Sequence, residues 1–144
     1  MGALLDTHTL FWLVTEASPL AEPALIAIAD AQAVDRLYVS PATAWELGVI
    51  ARKPPHQDRP DLGQLTPRVW FREAVRATGA RVAPIKLKIA LEAAEVVTRT
   101  GHKDPGDCFL IATARVLRVP LITRDAAILQ IARDHGAYLD VVAC

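Results

Sequence analysis

The chain has 144 residues, 52% of them hydrophobic and 22% charged, with sixteen basic residues balanced by sixteen acidic ones. These figures exclude a disordered or fibrous chain and a polycation, so any nucleic acid would be met by a local patch or through ions rather than by net charge. The length suits one domain, expected to run from 1 to 144, with room for a sizeable core.

Cys108 and Cys144 form neither a CxxC pair nor a disulfide framework, which fits a reducing compartment. The opening MGALLDTHTLFWLV lacks a basic leader and carries Asp6 and His8 inside its apolar run. Neither a signal peptide nor a membrane span is expected, and a cytoplasmic protein is.

GALL (2–5) has the profile of a strand buried on both faces, and HTLFWLV then reads as a helix. A second helix is predicted over 20–33, with Leu25, Ile28 and Ala29 on its inner face. LYVS (37–40) is strand-like, and Ser40-Pro41 opens another helix as N-cap and first helical residue. Residues 53–67 hold four of the ten prolines and are expected to form a mobile loop. RVWFREAVRA (68–77) returns to helical spacing, with Val69, Trp70 and Ala74 as its apolar stripe. ARVAPI (80–85) is a short strand, and the helix after it stops at Gly101. DPGDCFLIATARVL is a further helix, VPLIT (119–123) a buried strand, and DAAILQIARDHG a last helix ending at Gly136, followed by strand AYLDVV. Alternation of this kind predicts a mostly parallel sheet with helices on both faces, whose ligand site lies beyond the carboxyl ends of the strands.

Four acids fall at that end. Asp6 follows GALL directly, and Asp125 follows VPLIT by two residues. Glu46 is the only charge between Pro41 and Ala51, and Asp107 opens an almost wholly apolar helix. Each also has a plain reading: Asp6 and Asp125 as helix caps, Glu46 as a solvated helix residue, Asp107 as a first-turn acid near the helix dipole. Crowded carboxylates would take up protons unless a cation intervened, and hard ions such as Mg²⁺ or Mn²⁺ favour oxygen ligands of this kind; zinc would want Cys or His.

The stretches LLDTHTLFW, SPATAWEL, HKDPGDCFLIATA and LITRD, in this order, resemble the PIN-domain ribonucleases, specifically the VapC-type toxins of bacterial toxin–antitoxin pairs. The resemblance implies a three-layer α/β/α sandwich with a mostly parallel central sheet. It also implies a metal-dependent endoribonuclease that uses one or two Mg²⁺ or Mn²⁺ ions, is neutralised by a cognate antitoxin and forms a homodimer. Carried onto this chain, the ligand and catalytic positions are Asp6, Glu46, Asp107 and Asp125, with Glu46 as ligand or general base. Asp104 is expected to cap its helix and assist Asp107, although either could be the direct ligand. Thr123 could bond a carboxylate or water, or simply be a strand threonine. Arg124, His102 and Lys103 are expected to grip the RNA backbone, and Trp12, Trp45 and Trp70 to serve as core or interface. The segment KPPHQDRPDLGQL stands where relatives often carry a short Gly-Lys-Leu segment. The alternatives are a related nuclease acting on DNA or housekeeping RNA, and a catalytically silent binding module.

Overall fold

The computed structural model describes residues 1–54 and 60–144. Its strands are β1 (Ala3–Leu5), β2 (Leu37–Val39), β3 (Arg81–Val82), β4 (Leu121–Thr123) and β5 (Val141–Ala143), all parallel in the order β3-β2-β1-β4-β5. Between them run α1 (Thr7–Thr15), α2 (Glu22–Ala33), α3 (Pro41–Ile50), α4 (Pro67–Thr78), α5 (Leu87–Thr100), α6 (Pro105–Leu117) and α7 (Ala126–Asp134). This is the expected α/β/α sandwich with a parallel central sheet.

The period-two alternation of a strand assigns each residue to a layer. Ala3, Leu5, Leu37, Val39 and Ile122 pack on one side with Leu10, Phe11, Ile28 and Trp70; Leu4 and Leu121 pack on the other with Ile89, Val96, Ile111 and Ile128. Both sides of the central strands are dry, as their unbroken apolar runs required. β1 has β2 on one side and β4 on the other, so the chain reverses its direction of travel across the sheet at β1. A crevice opens at such a reversal, at the carboxyl ends of β1 and β4.

Several expected details shift. In α2 the buried stripe is Ala24, Ile28 and Ala31, while Leu25 is 47% exposed and Ala29 is also exposed. The stripe runs at four- and three-residue steps and takes in Ile28 as well as two alanines, so the phase of the helix rather than residue size decides which side chains reach the sheet. Val69 is exposed although Trp70 and Ala74 are buried, because the helix begins at Pro67 and turns Val69 outward. The strand expected over 80–85 keeps only Arg81 and Val82, since Pro84 has no N–H for the ladder. Gly136 does not end α7; His135 is its C-cap, and Gly136 begins a 3₁₀ turn to Tyr138. Of the loop expected over 53–67, residues 55–59 lie outside the described residues, 60–66 form neither helix nor strand, and Pro67 already begins α4. Among the described residues no helix is long and apolar enough to cross a membrane.

Candidate metal centre

Asp6 sits at the exit of β1 as N-cap of α1, 7% exposed. Its Oδ1 accepts the Thr9 N–H at 2.8 Å, and its Oδ2 accepts the Thr123 hydroxyl. Thr123 ends β4, is fully buried, and also accepts the Asp125 N–H at 3.0 Å. One hydroxyl therefore ties together the carboxyl ends of two neighbouring strands. Asp125 caps α7 through Oδ1 to the Ile128 N–H at 3.0 Å and is itself exposed. Asp6 and Asp125 are thus helix caps, each placed at the carboxyl edge of the sheet.

Ser40 caps α3 and Pro41 starts it, which carries Glu46 over the first turn of α6. Glu46 Oε1 is buried and has no hydrogen-bond partner among the described residues. Burial above all, and then the negative charge of Asp107, pushes the Glu46 carboxyl up to about 7, with a nearby Thr7 hydroxyl pulling the other way. Asp107 is half-buried in the first turn of α6. Burial pushes it up to about 6 against the opposing hydrogen bond from His102, whose Nε2 lies 2.8 Å from Asp107 Oδ2. Asp104 caps that helix, accepting the Asp107 N–H at 2.9 Å, and stays exposed.

Asp6, Glu46, Asp104, Asp107 and Asp125 line one cleft of about 720 Å³, with Thr7, His8, Trp12, Pro60, Asp61 and Arg124 among its other walls. The side chains face this space without closing on one point. Among the described residues no three Asp, Glu, His or Cys groups converge tightly enough to hold an ion as they stand. Mutual repulsion and the two raised carboxyls describe an acidic pocket short of positive charge.

The cationic residues expected to grip a backbone have other positions. His102 is bound to Asp107, and Lys103 is exposed beside the cleft but is not among the described residues lining it. Arg124 does line it, with hydrogen bonds directed to Cys144, Ser18 and Pro19. Trp70 is core and Trp45 is 57% exposed, while Trp12 is half-buried beneath Arg124. Sequence reasoning missed Gly106, the only residue small enough to let the Glu46 carboxyl lie over α6; a Cβ there would stand 2.6 Å from Oε1. Its signal was a glycine in the first turn of a buried helix, where alanine would propagate the helix better.

A family model of the PIN domain matches residues 3–134. No curated protein matches the chain. Among solved structures, the fold is similar to VapBC2 from Rickettsia felis bound to a DNA fragment from its promoter (TM-score 0.63, 10% identity, 100% of this chain and 99% of that one). It is also similar to the toxin–antitoxin system VapBC-5 from Mycobacterium tuberculosis (TM-score 0.61, 19% identity, 100% of both chains). A third likeness is to VapBC-1 from nontypeable Haemophilus influenzae (TM-score 0.60, 20% identity, 99% and 98% of the two chains). With the family model spanning β1 through α7, the chain belongs to the PIN-domain family.

Proposed function

We propose that the chain is a divalent-metal-dependent endoribonuclease toxin of the VapC type, hydrolysing RNA phosphodiester bonds and silenced by a cognate antitoxin. The observation that carries this reading is the buried, unpartnered Glu46 Oε1 in a cleft of acids. A buried polar atom left without a partner is costly, and here it lies over Gly106 at the wall of that acidic cleft.

The residues fit a hard divalent cation, because every candidate donor is oxygen and two of the carboxyls, raised chiefly by burial, lie among further acids. Asp6, Glu46, Asp107 and Asp125 would hold it, with Asp104 close by. An Mg²⁺ or Mn²⁺ ion there supplies positive charge against the phosphate and acidity to water. The chain's own part is positioning and proton handling. Thr9 and Thr123 hold Asp6 still, and His102 orients Asp107 through Oδ2. The Glu46 carboxyl, raised towards neutrality and lining the cleft, is the group suited to take a proton from an attacking water.

The toxin–antitoxin complexes sharing the fold support an antitoxin as partner. A homodimer is supported by the outer face of α5, where Leu87 is 74% and Leu91 61% exposed, with Ala90 and Ala94 exposed beside them. Helical spacing sets Lys88 and Glu95 on one flank of that stripe, so antiparallel pairing of two copies brings opposite charges together twice.

The test is cutting of tRNA, rRNA fragments and single-stranded DNA by antitoxin-free protein in Mn²⁺ against EDTA, with Asp6→Asn and Glu46→Gln alongside. Metal-dependent RNA cutting lost in both variants is expected. Cutting unaffected by EDTA overturns the metal reading, and cutting of DNA alone replaces the substrate.

A further inference from the structure

A second hollow, of about 620 Å³, lies along the β3 edge of the sheet and shares no lining residue with the acidic cleft. Its floor is apolar: half-buried Tyr38 of β2 lies beside Ile89 of α5 and beside Val116 and Leu117 at the end of α6. Its rim is cationic, with Arg36, Arg81, Lys86 and Lys88 against a single acid, Asp35. Asp35 is taken up by Arg81, whose Nε also donates to the Asp35 carbonyl at 3.1 Å. Arg36, Lys86 and Lys88 are exposed and have no ion-pair partner among the described residues. Four cations less one acid leave three positive charges around an apolar floor. The two lysines also open α5, whose N-cap Lys86 makes no side-chain hydrogen bond and whose first turn holds no acid. The helix dipole opposes cations at that end, and an anion resting in the hollow would relieve them.

An apolar hollow of this size with a few charges at its rim has the form of a small-molecule site. It suits strand addition poorly, since β3 has two residues and Pro84 just beyond them offers no N–H. The floor fits a flat ring, and the rim fits a phosphate, which lysine and arginine hold by charge-assisted hydrogen bonds. We propose that this hollow binds a mononucleotide, its base against Tyr38 and its phosphate held by Arg36, Lys86 and Lys88. The site is independent of the nuclease reading of the acidic cleft.

The test is isothermal titration calorimetry of the full chain in EDTA, where the acidic cleft has no cation with which to draw a phosphate. The probes are AMP, adenosine, inorganic phosphate and an oligoadenylate octamer. AMP should bind with a Kd below about 1 mM, and adenosine and inorganic phosphate each roughly 10-fold more weakly or worse. Arg36→Gln and Lys86→Gln should each weaken AMP by roughly 5- to 20-fold. Lys88 also flanks the α5 pairing stripe and is left intact. Tyr38→Leu should narrow the advantage of AMP over inorganic phosphate, a ratio within one protein that partial unfolding does not imitate. Lys103→Gln, beside the cleft, should change nothing. AMP that fails to bind, or binds no more tightly than adenosine or inorganic phosphate, overturns the site. So does AMP binding that Lys103→Gln abolishes and Arg36→Gln spares, which moves the ligand to the cleft. An octamer bound more tightly than AMP, and lost in Arg36→Gln, replaces the mononucleotide by an RNA strand.

Discussion

Replacing Gly106 by alanine should separate the stability of the protein from its activity. The new Cβ would stand 2.6 Å from Glu46 Oε1, 2.8 Å from Cδ and 3.3 Å from Cγ, where ordinary contacts begin at 3.4 Å. The obstructing atoms are the free end of a long side chain, so α6 can stay in place while the carboxyl retreats by about 1 Å. Alanine in the helix gains about 0.5–1 kcal/mol over glycine, and pushing Glu46 off its rotamer costs about 0.5–1.5 kcal/mol. The two nearly cancel, so the thermal midpoint should remain within about 4 °C of the parent. Catalysis has no such compensation, because a reacting group misplaced by about 1 Å costs on the order of 100-fold in rate. The assay is kcat on a labelled RNA in Mn²⁺ beside a thermal melt, with Gly106→Ala made also in the Glu46→Gln background. There the alanine should cost almost nothing further, since the group it displaces is already disabled. Parental kcat in Gly106→Ala, or a melt lowered by more than about 10 °C, refutes the reasoning: the first means the carboxyl's place is unimportant, the second that the helix moved instead.

Asp104→Asn should keep the cap and the thermal midpoint, whereas Asp104→Ala should cost about 1 kcal/mol; Asp107→Asn should abolish metal-dependent cutting without destabilising the fold. A melt of each variant in EDTA and a cleavage assay in Mn²⁺ decide between cap and ligand, and full activity in Asp107→Asn would reverse the assignment. Burial, joined for Glu46 by the charge of Asp107, raises Glu46 to about 7, and burial raises Asp107 to about 6, so the metal-free fold keeps protons that the unfolded chain has released. Their stabilisation is complete below the unfolded values near 4 and is lost as pH rises through 6 and 7. Melts in EDTA should therefore fall across that window and flatten in Mn²⁺; a pH-independent EDTA profile contradicts the two shifts. Leu91→Asp should convert a dimer to a monomer by light scattering, Lys88→Glu should weaken it, and Lys88→Glu with Glu95→Lys should restore it. An unchanged mass for Leu91→Asp moves the pairing surface off α5.

Elements announced by local chemistry were legible in the sequence. Ser40-Pro41 and Asp104-Pro105 mark helix starts through a side-chain cap and a pre-set φ, and Gly101 ends α5 at φ +74°. The acids at strand ends were legible for the same reason, since a parallel sheet with short connections puts them on one edge. What stayed hidden depends on partners distant in sequence. Nothing near Arg124 announces Trp12, 112 positions earlier, or directs its donors to Ser18 and Cys144. The inner face of α2 was misjudged because apolar residues surround the helix: Leu25 and Ile26 are exposed while Ala24, Ile28 and Ala31 form the buried stripe, and only docking on the sheet fixes that phase. Glu46 was suspect from its apolar surroundings, but its lack of a partner is visible only once α3 is laid over Gly106.

The acids of the cleft fall into two groups by what they do for the fold. Asp6 and Asp125 hold helix N-termini through backbone N–H groups, whereas Glu46 and Asp107 are carboxylates that folding pushes towards their uncharged form. Inactivating substitutions at the two kinds of position should therefore leave different proteins behind. Neutralising Glu46 or Asp107 relieves a burden, giving an inert chain that accumulates and could still engage an antitoxin. Alanine at Asp6 or Asp125 removes a cap of about 1 kcal/mol along with the site, giving a chain that is both inert and more readily degraded. On the toxin reading proposed above, survivors altered at Glu46 would keep sequestering antitoxin, and survivors altered at Asp6 would release it.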